Sequence, residues 1–161
     1  MPEHFPGLPA ELLVASKMAA NGWNIYSPHR DIGIDFVATK QLGENLVIRP
    51  VQVKGCYFRK RKDSAWYGKI DMELNQLHPE MVLAIPFFFP SHGHQELQFV
   101  AYMPRKQLRR KPNGKFRCTP ALVKDGRPAQ RRDYTKFFDL SGLRLMEEDG
   151  WRDYEVGTNS A

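Results

Sequence analysis

Between Gly33 and Lys54 the chain carries two apolar runs separated by a short polar turn, and a β-hairpin is the natural way to fold such a stretch. The first run reads Gly33-Ile34-Asp35-Phe36-Val37-Ala38-Thr39, the second extends from Leu46 to Lys54, and Gly43, Glu44 and Asn45 lie in the connection. Side chains alternate faces along a strand, so Asp35 shares a face with Gly33 and Val37, while Ile34, Phe36 and Ala38 share the other. By the same rule Gln52 and Lys54 point one way, and Val51 and Val53 the other. Pairing the strands with those apolar residues inward brings Asp35, Gln52 and Lys54 together on one side. A carboxylate, an amide oxygen and an ammonium within reach of each other are the parts of a metal-assisted hydrolytic site. The plain alternative is a set of polar sheet residues facing water, because short patterns of this kind recur by chance.

The flanking segments say what such a hairpin would pack with. Pro9 suits the first turn of a helix that stops near Asn21-Gly22, with Leu12, Ala15 and Ala19 as its apolar stripe. Glu11 is expected in the first turn, where it either favours the positive end of the helix dipole or joins the polar cluster. Trp23 to Tyr26 reads as a first strand, followed by a loop in which Asp31 reads as a solvated turn residue. Gly33 leaves room beside Asp35 for an anion or a backbone. The opening order is therefore a helix and three strands with short connections, an antiparallel meander.

Beyond Lys54 comes a basic run, Arg59-Lys60-Arg61-Lys62, bracketed by Tyr57, Phe58, Trp66 and Tyr67, which is either a phosphate-touching ribbon or a solvated hairpin tip. Asp71 is placed to cap a short helix through about Leu77, and Met81–Phe87 and Leu97–Tyr102 read as strands. A helix between strands supplies a crossover, so part of the sheet is expected to be parallel. Ser91-His92-Gly93-His94 reads as a surface turn rather than a metal site, having no nearby third ligand. Lys124 to Lys136 reads as a long loop, and Leu143 to Glu148 as a last helical turn.

Length and charge bound the class. The 161 residues suit one domain, with a core at about 8–104 and a basic C-terminal extension at about 105–161. The net charge of +6 and a pI near 9.4 favour a polyanionic partner. The surplus concentrates in Arg105, Lys106, Arg109, Arg110, Lys111, Lys115 and Arg117, a segment without a single acid, and Arg127, Arg131 and Arg132 extend it. Such density is costly through self-repulsion unless it meets a polyanion, although a solvated basic face is the simpler reading. Cys56 and Cys118 are too few and too far apart for a disulfide framework or a cysteine zinc site. The first residues lack the blocks of a signal peptide, and the run from Met81 to Phe89 is too short to span a bilayer, so a cytoplasmic protein without membrane attachment is expected.

The order of Glu11 on a helix, Asp35 on a strand and Gln52-Val53-Lys54 on the next strand resembles the PD-(D/E)XK nuclease superfamily. The resemblance covers roughly the first half of the chain. Ile34 stands where the family has proline, and Gln52 where many members carry a carboxylate, as in some intron-encoded homing endonucleases of this superfamily. Small Holliday-junction resolvases share the helix-then-hairpin order. The resemblance implies an α/β fold with an αβββαβ restriction-endonuclease-like core, a mixed sheet flanked by helices. It implies Mg²⁺ (or Mn²⁺) held by Asp35, Gln52, the Val53 carbonyl and Glu11, with Lys54 as the catalytic cation. The expected activity is Mg²⁺-dependent hydrolysis of phosphodiester bonds in double-stranded or branched DNA. The Arg59–Lys62 and Arg105–Arg117 cations would serve as a phosphate track, in a homodimer or higher homo-oligomer. The alternative is a catalytically degenerate nuclease fold that binds nucleic acid without cutting it; charge alone does not separate DNA from RNA.

Overall fold

The computed structural model describes residues 7–30, 33–58 and 78–154. Helix α1 (Gly7–Ala20) carries Pro9 near its start, and the Asn21 side chain donates to the Lys17 carbonyl where it ends. Its buried face is Ala10, Val14 and Met18, a four-residue spacing that lines up one stripe. The expected stripe of Leu12, Ala15 and Ala19 is corrected: Leu12 is 62% exposed and Ala19 is exposed. Apolar residues surround this helix on all sides, so periodicity alone does not choose the face, and the sheet does. Glu11 falls in the second turn, not the first, because the helix begins at Gly7.

Strands β1 (Asn24–Tyr26), β2 (Phe36–Leu42) and β3 (Asn45–Val53) form the expected antiparallel meander. The β2–β3 turn is the pair Gly43-Glu44, and Gly43 at φ +59° supplies the positive dihedral that a tight two-residue hairpin needs at its first central position. The register pairs Phe36 with Val51 and Ala38 with Arg49, which sets Phe36, Ala38, Val47, Arg49, Val51 and Val53 on one buried face. Strand β4 (Cys56–Tyr57) follows after Lys54-Gly55. Strand β5 (Val82–Ser91) runs parallel to both β3 and β4, and β6 (His94–Pro104) returns antiparallel to β5. The sheet is thus mixed, in an α/β protein with few helices. The crossover that parallel neighbours require runs between Phe58 and Met81. Most of it lies outside the described residues, as do the Arg59–Lys62 run and the segment from Asp71 to Leu77. The β5–β6 turn is His92-Gly93, an exposed surface turn in line with the sequence reading.

The C-terminal third is more ordered than its composition promised. A one-turn 3₁₀ helix (Arg105–Gln107) leads into a short ribbon of β7 (Arg109–Arg110) and β8 (Phe116–Arg117). The expected loop from Lys124 to Lys136 is corrected. Strands β9 (Ala121–Lys124) and β10 (Arg127–Gln130) form a hairpin there, followed by a 3₁₀ helix at Arg132–Phe137. Asp125 at φ +52° and Gly126 at φ +73° make its two-residue turn, the backbone that an Asp-Gly pair tolerates best. The last helix, α2 (Asp139–Leu145), starts four residues before the expected Leu143 and packs on β6. Phe137, Phe138, Leu143, Met146 and Trp151 all belong to the main core, and the Trp151 indole donates to the Met81 carbonyl at 3.1 Å.

Arg49 ties this segment to β3. Its side chain is almost wholly buried, yet it donates to the carbonyls of Met146 (2.9 Å) and Glu148 (3.0 Å) and to Glu80 Oε2 (2.8 Å). Burial lowers its pKa from the ordinary arginine value, opposed by the charges of Glu80 and Asp149. Lys40, next but one along the same face, bridges the Asn21 carbonyl at the end of α1 and Glu147 just after α2. The ends of both helices are therefore fastened to one face of the hairpin. No helix among the described residues is long and apolar enough to cross a membrane.

Candidate active site at the open end of the hairpin

Where β2 and β3 run out, the backbone ladder is completed by a side chain. The Asp35 N–H donates to the Val51 carbonyl at 2.9 Å, and the Val53 N–H donates to Asp35 Oδ2 at 2.6 Å. The carboxylate takes the place of a main-chain acceptor just outside the last regular pair, Phe36 with Val51. This fixes the Asp35 carboxylate against the Val53 main chain. A carboxylate offers about four lone-pair positions, so a single accepted hydrogen bond leaves capacity for a cation.

Gln52, one residue beyond the last β2–β3 register pair, is paired with Leu83 of β5, and its side chain is 9% exposed. Lys54 follows as the first exposed residue of the strand end, its N–H anchored to the Ala84 carbonyl at 2.9 Å. Behind it Tyr57 stacks on Phe88, with ring centroids 4.7 Å apart and planes 6° from parallel. A side chain at Gly55 would meet the Tyr57 ring at 2.8 Å, so glycine is required for the ring to close over the backbone next to Lys54. Burial raises the Tyr57 pKa, keeping its hydroxyl protonated.

Asp35, Gln52 and Lys54 lie at or just beyond the adjoining ends of two neighbouring strands. The fourth expected catalytic residue, Glu11, sits half-buried one layer away, on a helix that packs against β1, β3 and β5. Among the described residues no group of three His, Cys, Asp or Glu side chains is arranged to hold a metal ion. A cation here would depend on Asp35, the Gln52 amide oxygen and main-chain oxygens, which are hard donors of the kind Mg²⁺ takes while retaining several waters.

The basic residues of the C-terminal segment lie on the ribbon that continues β6. Pro104 pairs with Val82, which pairs with Val51, so Arg105 leaves the sheet two strands from β3 and two residues along from the level of Gln52. At about 4.8 Å per strand this is roughly 10 Å across the sheet. Arg105, Arg109 and Arg110 are exposed, Lys111, Lys115 and Arg117 are half-exposed, and Lys106 pairs with Asp153 at 3.3 Å. The sequence reading overlooked one feature of this region, the facing of Arg109 and Arg117 across the ribbon. The available signal was Pro112-Asn113-Gly114, a turn sequence set between two arginine-bearing runs. No family model matches the chain, and no curated protein matches it.

Proposed function

We propose that the protein is a Mg²⁺-dependent DNA endonuclease of the PD-(D/E)XK type, with Glu11, Asp35, Gln52 and Lys54 as its catalytic residues. The observation that carries this reading is the Asp35–Val53 hydrogen bond, which holds an acid against a Q-x-K strand end. The antiparallel meander followed by a strand parallel to β3 agrees with the β-strand order of an αβββαβ core. Asp35, the Gln52 amide and the Val53 carbonyl would hold the ion; Glu11, on a helix whose end is fastened to the opposite face of the hairpin from Gln52, would join them only around the strand ends. When bound, the ion polarises the scissile phosphate and lowers the pKa of a water. Lys54 orients the attacking water and neutralises charge developing on the phosphorane, where a preformed cation is worth several kcal/mol. The cationic ribbon supplies sequence-independent, salt-sensitive affinity for the duplex backbone. Cutting both strands calls for two such sites, hence a symmetric homo-oligomer.

A second reading, a nuclease fold that binds DNA without cutting, is favoured by one observation. Among the described residues only Asp35 brings a negative charge to the strand ends, and Gln52 brings none. Supercoiled plasmid and a four-way junction incubated with and without Mg²⁺ or Mn²⁺ separate the two. The nuclease nicks or resolves DNA only with the divalent ion, and Asp35→Ala and Lys54→Ala abolish cutting while binding persists. Salt-sensitive binding with no divalent-dependent cleavage in the unaltered protein assigns it to the second reading.

A further inference from the structure

Strand β3 is paired along only part of one side. Val51 and Val53 turn their main-chain groups toward β2, where Val51 accepts from the Asp35 N–H and Val53 donates to the Asp35 carboxylate. Lys54 turns the other way and donates to Ala84 of β5. Main-chain direction alternates along a strand, so Leu46, Ile48 and Pro50 also present theirs on the β5 side. Strand β5 first meets β3 at Val51, opposite Val82, and among the described residues no strand pairs with Asn45–Pro50 on that side. Pro50 agrees with this, because a residue without an N–H is tolerated where no neighbouring strand needs one.

The open edge is unguarded. Leu46 is 55% exposed and Ile48 49%. Asn45–Ile48 carries no charge, and its register with β2 has no bulge, whereas open edges are commonly blunted by an outward lysine or a bulge. A concavity of about 390 Å³ runs beside it, lined by Asn45 to Arg49 and, from other segments, by Glu80 and Asp149. At about 3.4 Å per residue this stretch offers roughly 17 Å of edge, the length of an ordinary strand. The two sides of the groove differ. Leu46 and Ile48 lie on the outer face of the sheet, whereas Val47 and Arg49 lie on the inner one. Arg49 is committed to the Met146 and Glu148 carbonyls and to Glu80 Oε2. The second Glu80 oxygen is 3.5 Å from the half-exposed Arg152, beyond hydrogen-bond length, and Asp149 is exposed. The outer side is therefore apolar and the inner side carries two carboxylates, in a chain whose net charge is +6.

We propose that the open edge of β3 is a docking site for an extended peptide of a partner protein, which adds as a strand in line with β5. Its apolar side chains cover Leu46 and Ile48, and its lysine or arginine side chains lie beside Glu80 and Asp149. Main-chain hydrogen bonds to Leu46 and to the Ile48 N–H supply affinity, and the alternation of apolar and basic residues supplies selectivity. A second copy of this chain is the poorer occupant, because its own uncharged Asn45–Ile48 edge brings no cation to the carboxylates. The site is separate from the strand ends at Asp35 and stands whether or not they cut DNA.

The probe is a blocked synthetic peptide of about six residues that alternates valine and lysine. One comparison peptide has glutamate for lysine, and another has methylated amide nitrogens. Binding is read by fluorescence anisotropy and by amide chemical shifts. The basic peptide is expected to bind saturably and to shift the Leu46 and Ile48 amides, and both comparison peptides to bind about tenfold more weakly or worse. Ile48→Pro deletes an outward N–H while sparing the ladder to β2, as Pro50 already does, and is expected to weaken binding about tenfold. Asp149→Asn is expected to weaken it about twofold to fivefold. Asp35→Ala is expected to bind the peptide normally, which keeps the outcome separate from that of the cleavage assay. Absence of saturable binding by the basic peptide, or equal binding of either comparison peptide, overturns the proposal. So does undiminished binding by Ile48→Pro, whose fold is checked by its unchanged amide spectrum elsewhere. Self-association of the unaltered protein that Ile48→Pro abolishes gives the edge to a second copy and likewise overturns it.

Discussion

Strand β3 carries two buried polar side chains, and they are treated in opposite ways. Arg49 faces the helices and spends its donors on Met146, Glu148, Glu80 and its own neighbour Ile48. Gln52, three residues on and facing the other way, ties no downstream segment to the strand, and the adjacent Asp35 gives one oxygen to the Val53 N–H. A fully satisfied buried charge fixes one arrangement of the chain, because every alternative strands it without partners. A carboxylate that accepts a single hydrogen bond does the reverse, because its remaining lone pairs can take a ligand. The comparison separates an end of the strand that holds the molecule together from an end that is available for chemistry.

The largest expected effect comes from breaking the satisfied end. Arg49→Leu removes the donors and leaves two inward carbonyls without their partner, while Glu80 keeps Arg152 at 3.5 Å, a loss of about 2–4 kcal/mol. At roughly 2–4 °C per kcal/mol for a chain of this size, the melting temperature falls on the order of 10 °C. Loss of only a few tenths of a kcal/mol in calorimetry would remove Arg49 as the anchor of the C-terminal segment. Asp35→Asn is the next step down. Its amide oxygen still accepts from the Val53 N–H, so stability drops by only about 1 kcal/mol, the difference between a charged and a neutral hydrogen bond. Divalent-dependent cleavage falls by about a thousandfold, several kcal/mol of transition-state stabilisation. A variant as unstable as Arg49→Leu would instead make Asp35 a structural residue.

The two ends differ also in how far the sequence announced them. Period-two alternation through Asp35, Gln52 and Lys54 predicts their common location, because a one-residue slip would turn Val51 and Val53 outward. Gly43 pins that register by the turn it allows. Arg49 was not legible in the same way. On alternation it simply occupies a core position, and its partners lie about a hundred residues downstream, which no local pattern encodes. The stripe of α1 failed for a related reason: Leu12, Leu13, Val14 and Ala15 are all apolar, and only the sheet beneath selects Val14. The β9–β10 hairpin did have a local signal in Asp125-Gly126. It was outweighed by a flanking composition of Lys, Arg and Pro that resembles a loop.

The smallest expected effect on stability is also the sharpest on the comparison. Gln52→Leu replaces the amide by an apolar side chain of similar shape and leaves every hydrogen bond named above intact. Its removal is expected to change stability by less than about 1 kcal/mol, because none of those bonds is broken. Mn²⁺ binding and cleavage should both fall, since the amide oxygen is one of the proposed donors to the ion. Gln52→Glu runs the other way. It adds the charge that many metal sites of this shape carry, so divalent affinity rises, while without metal two facing carboxylates repel and the melting temperature falls. Melting curves of the three proteins with and without Mn²⁺ should therefore cross: Glu lowest in chelator, and most responsive to the ion. A Leu variant that loses more than about 1 kcal/mol would mean that the amide has a partner in the folded chain, and the two ends of β3 would then be alike.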